Sequence, residues 1–180
     1  MLDESTLSAD QATQVERSLL ANLMLPEGRK FHPDSAVSRL ELAEALIRAG
    51  FVPQYMASCA MFTDVRDTDS RNAVESAQAS PSGSLFYDAT PGRNFYPYNG
   101  ATKLAAAIAF VKAAGLNSQV ASASLPLTVS DASSIPVAWR GYVAVALQRG
   151  FVSLDGTAFN PSRSLTRIEL ARSLNTLVSQ

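Results

Sequence analysis

A positively charged residue recurs at a fixed spacing in this 180-residue chain. The three cations lie 64 residues apart: Arg39, Lys103 and Arg167. Each follows a hydroxyl residue that can cap a helix, so each is predicted to occupy the first helical position. That position is the positive end of the helix and favours anions by about 0.3–1 kcal/mol. A cation placed there three times indicates one of three arrangements. It could hold an anionic ligand together with free backbone N–H groups, pair with a carboxylate of a neighbouring unit, or pack its aliphatic stem on a loop.

A Phe-x-Pro motif begins eight residues before each cation. Its copies are Phe31-His32-Pro33, Phe95-Tyr96-Pro97 and Phe159-Asn160-Pro161. A repeat of this length is typical of architectures in which each unit buries its apolar face against its neighbours. We expect the three Phe rings to be buried beneath the loops and the prolines to fix the turn before each helix.

A helix is predicted after each of these motifs, and the sequence indicates where each helix begins. Their predicted N-caps are Ser38, Thr102 and Thr166. Glu41 and Glu169 follow two of the caps at the spacing of a capping box, whereas Ala105 stands there in the middle copy. Gly50 and Gly115 are expected to end the first two helices. A partner helix is predicted ahead of each motif, within residues 11–25, 72–79 and 137–149. Linkers are expected near residues 53–60 and 117–128.

This order of motifs resembles the S-layer homology (SLH) repeat. The second unit opens with Phe62-Thr-Asp64-Val65, and a helix, a glycine-bearing loop, Phe-x-Pro and a hydroxyl-led second helix follow. The resemblance divides one compact module into unit 1 (residues 10–55), unit 2 (60–117) and unit 3 (128–179). The third unit carries most of the pattern: Asp131, Trp139, Gly150, Phe159, Pro161, Thr166, Arg167 and Glu169. The second departs from it at Lys103 and Ala105.

The resemblance implies an all-α module. Three helical hairpins would be arranged around a pseudo-threefold axis, and one helix of each would join a central bundle. Such modules anchor exported proteins outside the cell, at the envelope, by binding an acidic cell-wall polysaccharide that often bears pyruvate ketals. The family's Arg lies in a groove between repeats. That role carries over to Arg39 and Arg167, and in altered form to Lys103.

Aromatic side chains are further candidates for contact with sugar. Trp139 could stack on a sugar ring, although a single Trp on an apolar helix face is more often part of a core. The other candidates cluster near the second Phe-x-Pro loop: Tyr87, Tyr96 and Tyr98.

Composition argues against other functional classes. The net charge of −1 provides no basic field for nucleic acid, and no apolar run approaches transmembrane length. One histidine and one cysteine offer no catalytic constellation, and Cys59 has no partner for an intramolecular disulfide. The acidic residues near Asp64 lack the spacing of a calcium loop, and Asp64 itself is expected to cap the following helix. We therefore expect no enzyme, no metal and no cofactor.

Two readings of the chain stay open at this stage. It could be the anchoring module of a larger exported protein, whose signal would lie outside these residues. It could instead be a decayed SLH-like module that packs only against its parent, a larger exported protein or enzyme, or against a partner protein. The departures in the second unit favour the second reading.

Overall fold

The computed structural model describes residues 6–180 as an assembly of helices. They form α1 (Ala9–Leu20), α2 (Arg39–Arg48), α3 (Thr68–Gln78), α4 (Lys103–Ala113), α5 (Asn117–Val120), α6 (Arg140–Gln148) and α7 (Arg167–Val178). Two short 3-10 helices, Ala132–Ser134 and Val137–Trp139, precede α6. No strand occurs within this range, so the predicted all-α class is confirmed. None of these helices is long and apolar enough to cross a membrane.

The three predicted helix starts are confirmed. The Ser38 hydroxyl accepts the N–H of Glu41 at 3.0 Å, and the Thr102 hydroxyl accepts that of Ala105 at 3.1 Å. Thr166 forms the reciprocal capping box with Glu169, whose carboxylate accepts the Thr166 N–H at 2.8 Å. Each cation is therefore the first residue of its helix.

Asp64 does not cap the helix that follows it, contrary to the sequence prediction. Asp67 is the cap, and its carboxylate accepts the Ser70 N–H at 2.8 Å. The Asp64 carboxylate is already engaged, because it accepts the N–H groups of Phe95 and Tyr96, both at 2.7 Å. Because Asp67 is the cap, α3 begins at Thr68, four residues ahead of the predicted start.

The equivalent aspartate of unit 3 makes the same two bonds. Asp131 accepts the N–H groups of Phe159 and Asn160, both at 2.7 Å. In both loops the middle residue of Phe-x-Pro has a left-handed backbone, with φ of 59° at Tyr96 and 55° at Asn160. A fixed carboxylate that binds two successive N–H groups stabilises this otherwise disfavoured conformation.

Three other predicted boundaries need correction. Helix α1 ends at Leu20 rather than near residue 25, because the chain turns at Asn22 (φ 55°) and places Leu23 and Met24 in the core. The linker expected at residues 117–128 contains the short helix α5. Within the third predicted partner helix, the first turn is 3-10 and only Arg140–Gln148 is α-helical.

The first helix of each unit packs on the second helix of another unit. The pairs are α1 with α7, α3 with α2, and α6 with α4. The α1–α7 pair is fixed by Asn175, whose side-chain amide donates to the Gln14 carbonyl at 2.8 Å. The two ends of the described chain are therefore joined, although they are far apart in sequence.

Three backbone hydrogen bonds form a closed ring just ahead of the cations. The N–H of Val37 donates to the Leu165 carbonyl at 2.8 Å, that of Leu165 to Ala101 at 2.9 Å, and that of Ala101 to Val37 at 2.8 Å. The ring brings the starts of α2, α4 and α7 together. The Phe rings of the three motifs lie under these loops with 0–1% of their surface exposed, so the predicted buried plugs are confirmed.

Candidate functional site

All three cations are buried at contacts between units. Their exposed fractions are 8% for Arg39, 1% for Lys103 and 3% for Arg167. A buried charge needs a partner, because desolvation without one costs several kcal/mol. Each cation has a carboxylate partner and also lies over the motif Phe of another unit.

The Arg39 site joins units 1 and 2. Nη1 of Arg39 donates to both carboxylate oxygens of Asp88, at 3.0 and 2.8 Å. The guanidinium carbon lies 4.6 Å from the ring centroid of Phe95 and 4.9 Å from that of Phe86. Asp88 itself keeps 44% of its side-chain surface exposed. The buried cation is thus paired with a carboxylate that faces solvent.

The Lys103 site joins units 2 and 3 and is crowded by other polar groups. Lys103 Nζ donates to Asp155 at 3.2 Å and lies 5.4 Å from the centroid of Phe159. Asp155 also accepts from Arg163 at 3.0 Å and from the Asn160 amide at 2.9 Å. Burial alone would raise the pKa of Asp155, but these hydrogen bonds lower it overall. The Asp155 carboxylate is therefore held ionised by three donors.

The Arg167 site joins units 3 and 1, and all three guanidinium nitrogens donate hydrogen bonds there. Nε donates to the Phe31 carbonyl and Nη2 to the Leu25 carbonyl, both at 2.7 Å. Nη1 donates to Glu41 and lies 3.4 Å from Glu27. Burial raises the pKa of Glu41, and the charge of Arg167 only partly offsets this rise.

The Arg39 guanidinium is less completely satisfied than that of Arg167. Both of its bonds to Asp88 come from Nη1, and its buried Nε–H has no acceptor among the described residues. An unpaired buried donor is uncommon and costs about 1–3 kcal/mol. Arg39 therefore has hydrogen-bonding capacity that residues 6–180 do not use.

The backbone of the helix starts is not available to a ligand. The N–H groups of Arg39, Lys103 and Arg167 donate to carbonyls of other units at 2.7–3.0 Å. The next N–H in each helix does the same, and the third donates to the cap hydroxyl. The predicted contribution of free first-turn N–H groups to an anion site is therefore wrong. Any anion would have to be bound by side chains.

Trp139 lies at the start of α6 and is only partly buried. Its ring centroid is 4.8 Å from that of Tyr87 and 5.5 Å from that of Tyr142. Tyr96 and Tyr98, the other sugar-contact candidates, are 55% and 76% exposed. They lie on the loop whose carbonyls receive the first N–H groups of α2. Trp139 thus joins a group of aromatic rings at the surface.

The carboxylate partners of the cations were missed by sequence reasoning. Glu27 and Asp155 each stand four residues before a motif Phe, a shared spacing that could have identified them. Asp88 stands seven residues before Phe95 and carries no such signal. Across residues 6–180, no group of three or more His, Cys, Asp or Glu side chains is placed to hold a metal ion.

Comparison with known proteins identifies one part of the chain. A family model described as the S-layer homology domain matches residues 130–171. This segment includes Asp131, Trp139 and Arg167, together with all of α6 and the start of α7. A search of curated proteins found no match. S-layer homology domains are non-catalytic binding modules. Residues 130–171 therefore match the S-layer homology domain, a family whose modules anchor proteins to the cell wall.

Proposed function

We propose that this chain is a non-catalytic anchoring module that binds an acidic cell-wall polysaccharide bearing pyruvate ketals. In this proposal it acts outside the cell, at the envelope, as part of a larger exported protein. The observation that carries the proposal is the Arg39 site, where a buried guanidinium has a solvent-facing partner and a donor that no described residue accepts. A ligand carboxylate could displace or join Asp88 there, because Arg binds carboxylates through its planar fork.

The proposal includes three SLH-type units around a pseudo-threefold axis. The closed ring of backbone bonds through Val37, Ala101 and Leu165 supports it. The cyclic pattern of cation and Phe contacts supports it as well, since each cation lies over the Phe of a different unit. Residues that repeat in sequence then occupy repeated environments.

The three cation sites are not equivalent in this proposal. The Arg39 site is the principal one, because its single carboxylate partner faces solvent and its Nε–H has no acceptor among the described residues. Arg167 would first have to leave two carbonyls and Glu41, and Lys103 would have to leave an Asp155 shared with Arg163. We propose Arg167 and Lys103 as weaker glycan-binding positions, with Trp139 as an additional sugar contact.

The test is binding to purified wall polysaccharide, measured by isothermal titration before and after mild acid removal of the ketals. Arg39→Lys retains the charge and removes the planar fork, so we expect at least about a tenfold loss of affinity. Arg48→Ala is the matched control on the same helix, because Arg48 pairs only with Glu44 at the surface. Removal of the ketals should weaken the wild type as strongly as Arg39→Lys does. Equal binding with and without ketals would refute the acidic specificity.

A second candidate function is favoured by the completeness of the ion pairs. Each cation already has a protein carboxylate, which is what a module that packs only on its parent protein or a partner would need. In that case the wild type would not bind wall polysaccharide at all, and Arg39→Lys would change only the thermal stability. The same titration therefore separates the two functions.

A further inference from the structure

Three partly buried aromatic rings follow one another across the boundary between units 2 and 3. Tyr87, on the loop ahead of Phe95, contacts Trp139 with a centroid distance of 4.8 Å. Trp139 contacts Tyr142 on α6 at 5.5 Å. The planes of successive rings are inclined by 49° and 56°. We refer to Tyr87, Trp139 and Tyr142 as the aromatic row.

A cation lies at each end of the aromatic row. Tyr87 stands between Phe86 and Asp88 in the sequence, and both of these contact Arg39. At the other end, Lys112 Nζ lies 6.0 Å from the centroid of Tyr142.

Lys112 differs from the three cations at the helix starts. Its ammonium donates to the Ser84 carbonyl at 2.5 Å. Burial lowers the pKa of Lys112, and no carboxylate of the described residues counteracts this effect. Among the described residues, Lys112 is therefore a partly buried cation without a counter-ion, which is an unfavourable arrangement unless an anion is supplied from outside.

The aromatic row is also unlike the core aromatics. The Phe rings of the three motifs have at most 1% of their surface exposed, whereas all three rings of the row remain partly open to solvent. The hydroxyl of Tyr142 is within 3.3 Å of the Asn117 side chain, so its polar end is held at a fixed position. Rigid aromatic rings with polar tips suit ligands that have both apolar faces and hydroxyl groups. Pyranose rings have both features.

We infer that the aromatic row is an extended polysaccharide subsite that continues from the Arg39 site to Lys112. The ligand would be a stretch of chain with acidic groups at both ends, rather than a single acidic sugar. One acidic group pairs with Arg39, the intervening sugar rings lie along the row, and a second acidic group neutralises Lys112. This inference rests on the proposed function, because it takes the Arg39 site to be the place where the glycan binds.

The experiment compares short and long fragments of the same acidic wall polysaccharide. Partial hydrolysis provides fragments of one repeating unit and fragments of several, with their ketals intact. Trp139 is the only tryptophan of the chain, so its fluorescence emission reports on the row directly. We expect the wild type to bind long fragments at least about tenfold more tightly than short ones. Only the long fragments should shift the Trp139 emission.

Variants identify the row as the cause of this length dependence. Tyr142→Leu and Lys112→Met should each weaken binding of long fragments about three- to tenfold and leave binding of short fragments unchanged. Tyr142→Phe retains the ring and should bind like the wild type. Tyr55→Leu is the control, because Tyr55 is an exposed tyrosine outside the row. Thermal melts verify that every variant is folded.

The possible outcomes separate this inference from the proposed function. If long and short fragments bind equally tightly and Arg39→Lys weakens the binding of both, the aromatic row is not a polysaccharide subsite, and the proposed function stands. The same conclusion follows if Tyr142→Leu and Lys112→Met bind long fragments like the wild type. If the wild type binds neither fragment, the proposed function fails and the aromatic row fails with it.

Discussion

Replacement of Arg167 by Ala should destabilise the protein far more than replacement of Arg39. Arg167 is 3% exposed, and its guanidinium donates to two backbone carbonyls and to Glu41. Its removal leaves these acceptors unpaired, and one of them is a largely buried carboxylate. Loss of one member of such a buried pair costs about 3–5 kcal/mol. For a domain of this size, that corresponds to a fall in Tm of about 6–20 °C.

The same change at Arg39 should cost less. Its partner Asp88 is 44% exposed and can be solvated again once the guanidinium is gone. What is lost is mainly the contact with Phe86 and Phe95, so we expect about 1–2 kcal/mol. Arg172→Ala is the control, because Arg172 pairs with Asp10 at the surface and should contribute under about 0.5 kcal/mol.

The pH dependence provides an independent check on the role of Arg167. Burial raises the pKa of Glu41 above its ordinary value, and Arg167 limits that rise. Because the folded-state pKa lies above the unfolded one, the stability that Glu41 contributes is present at low pH. It is lost as the pH increases through the raised pKa. Without Arg167 the pKa of Glu41 should rise further, so the stability deficit of Arg167→Ala should grow between about pH 4 and about pH 7.

The assay is equilibrium urea unfolding of the wild type and the three variants across this pH range, with m-values compared to verify two-state behaviour. A deficit for Arg167→Ala that is equal to or smaller than that of Arg39→Ala would refute the reasoning. So would a deficit that shrinks as the pH increases, because the buried Glu41 carboxylate could not then be the main unpaired group.

Three further predictions concern the fold itself. Phe159→Ala and Phe31→Ala should each lower the free energy of unfolding in urea by about 3–5 kcal/mol, because both rings are fully buried. A decrease under about 1 kcal/mol would contradict their position in the core. Gly141→Ala should lower the Tm measurably, since a Cβ there would lie 2.3 Å from the Val120 carbonyl oxygen, and an unchanged melt would show that α5 can move aside. A cut after Thr128 should leave both pieces without a sharp unfolding transition, because α1 packs on α7 and α4 on α6 across that point.

The parts of the fold that local chemistry determines were predictable from sequence. The caps Ser38, Thr102 and Thr166 act through bonds to residues three positions away, so their role is visible in the sequence itself. The cap of α3 was not predictable, because Asp64 and Asp67 are both suitable. The choice between them depends on two N–H groups about 30 residues away.

The candidate site was predictable only in part, for the same reason. The periodicity identified the three cations but not their partners, since Asp88 lies 49 residues from Arg39 and Asp155 lies 52 from Lys103. Lys103 was expected to contribute least to glycan binding because it lacks the Arg fork, and this stays a prediction. Lys103 is also the most buried of the three cations, so its removal should matter for stability whatever it does for binding.

The Nε–H of Arg39 has no acceptor among the described residues because the three cation sites differ in their surroundings. At the Arg167 site, carbonyls of Leu25 and Phe31 accept the Nε and Nη2 donors. At the Arg39 site, Phe86 and Phe95 cover the guanidinium. Their ring faces do not provide a conventional hydrogen-bond acceptor for the Nε–H. A buried N–H donor without an acceptor is a disadvantage for stability alone, because the desolvation of that donor is not compensated. The proposed acidic ligand would supply the missing acceptor beside a carboxylate that already faces solvent. This asymmetry makes the Arg39 site the best place to test glycan binding.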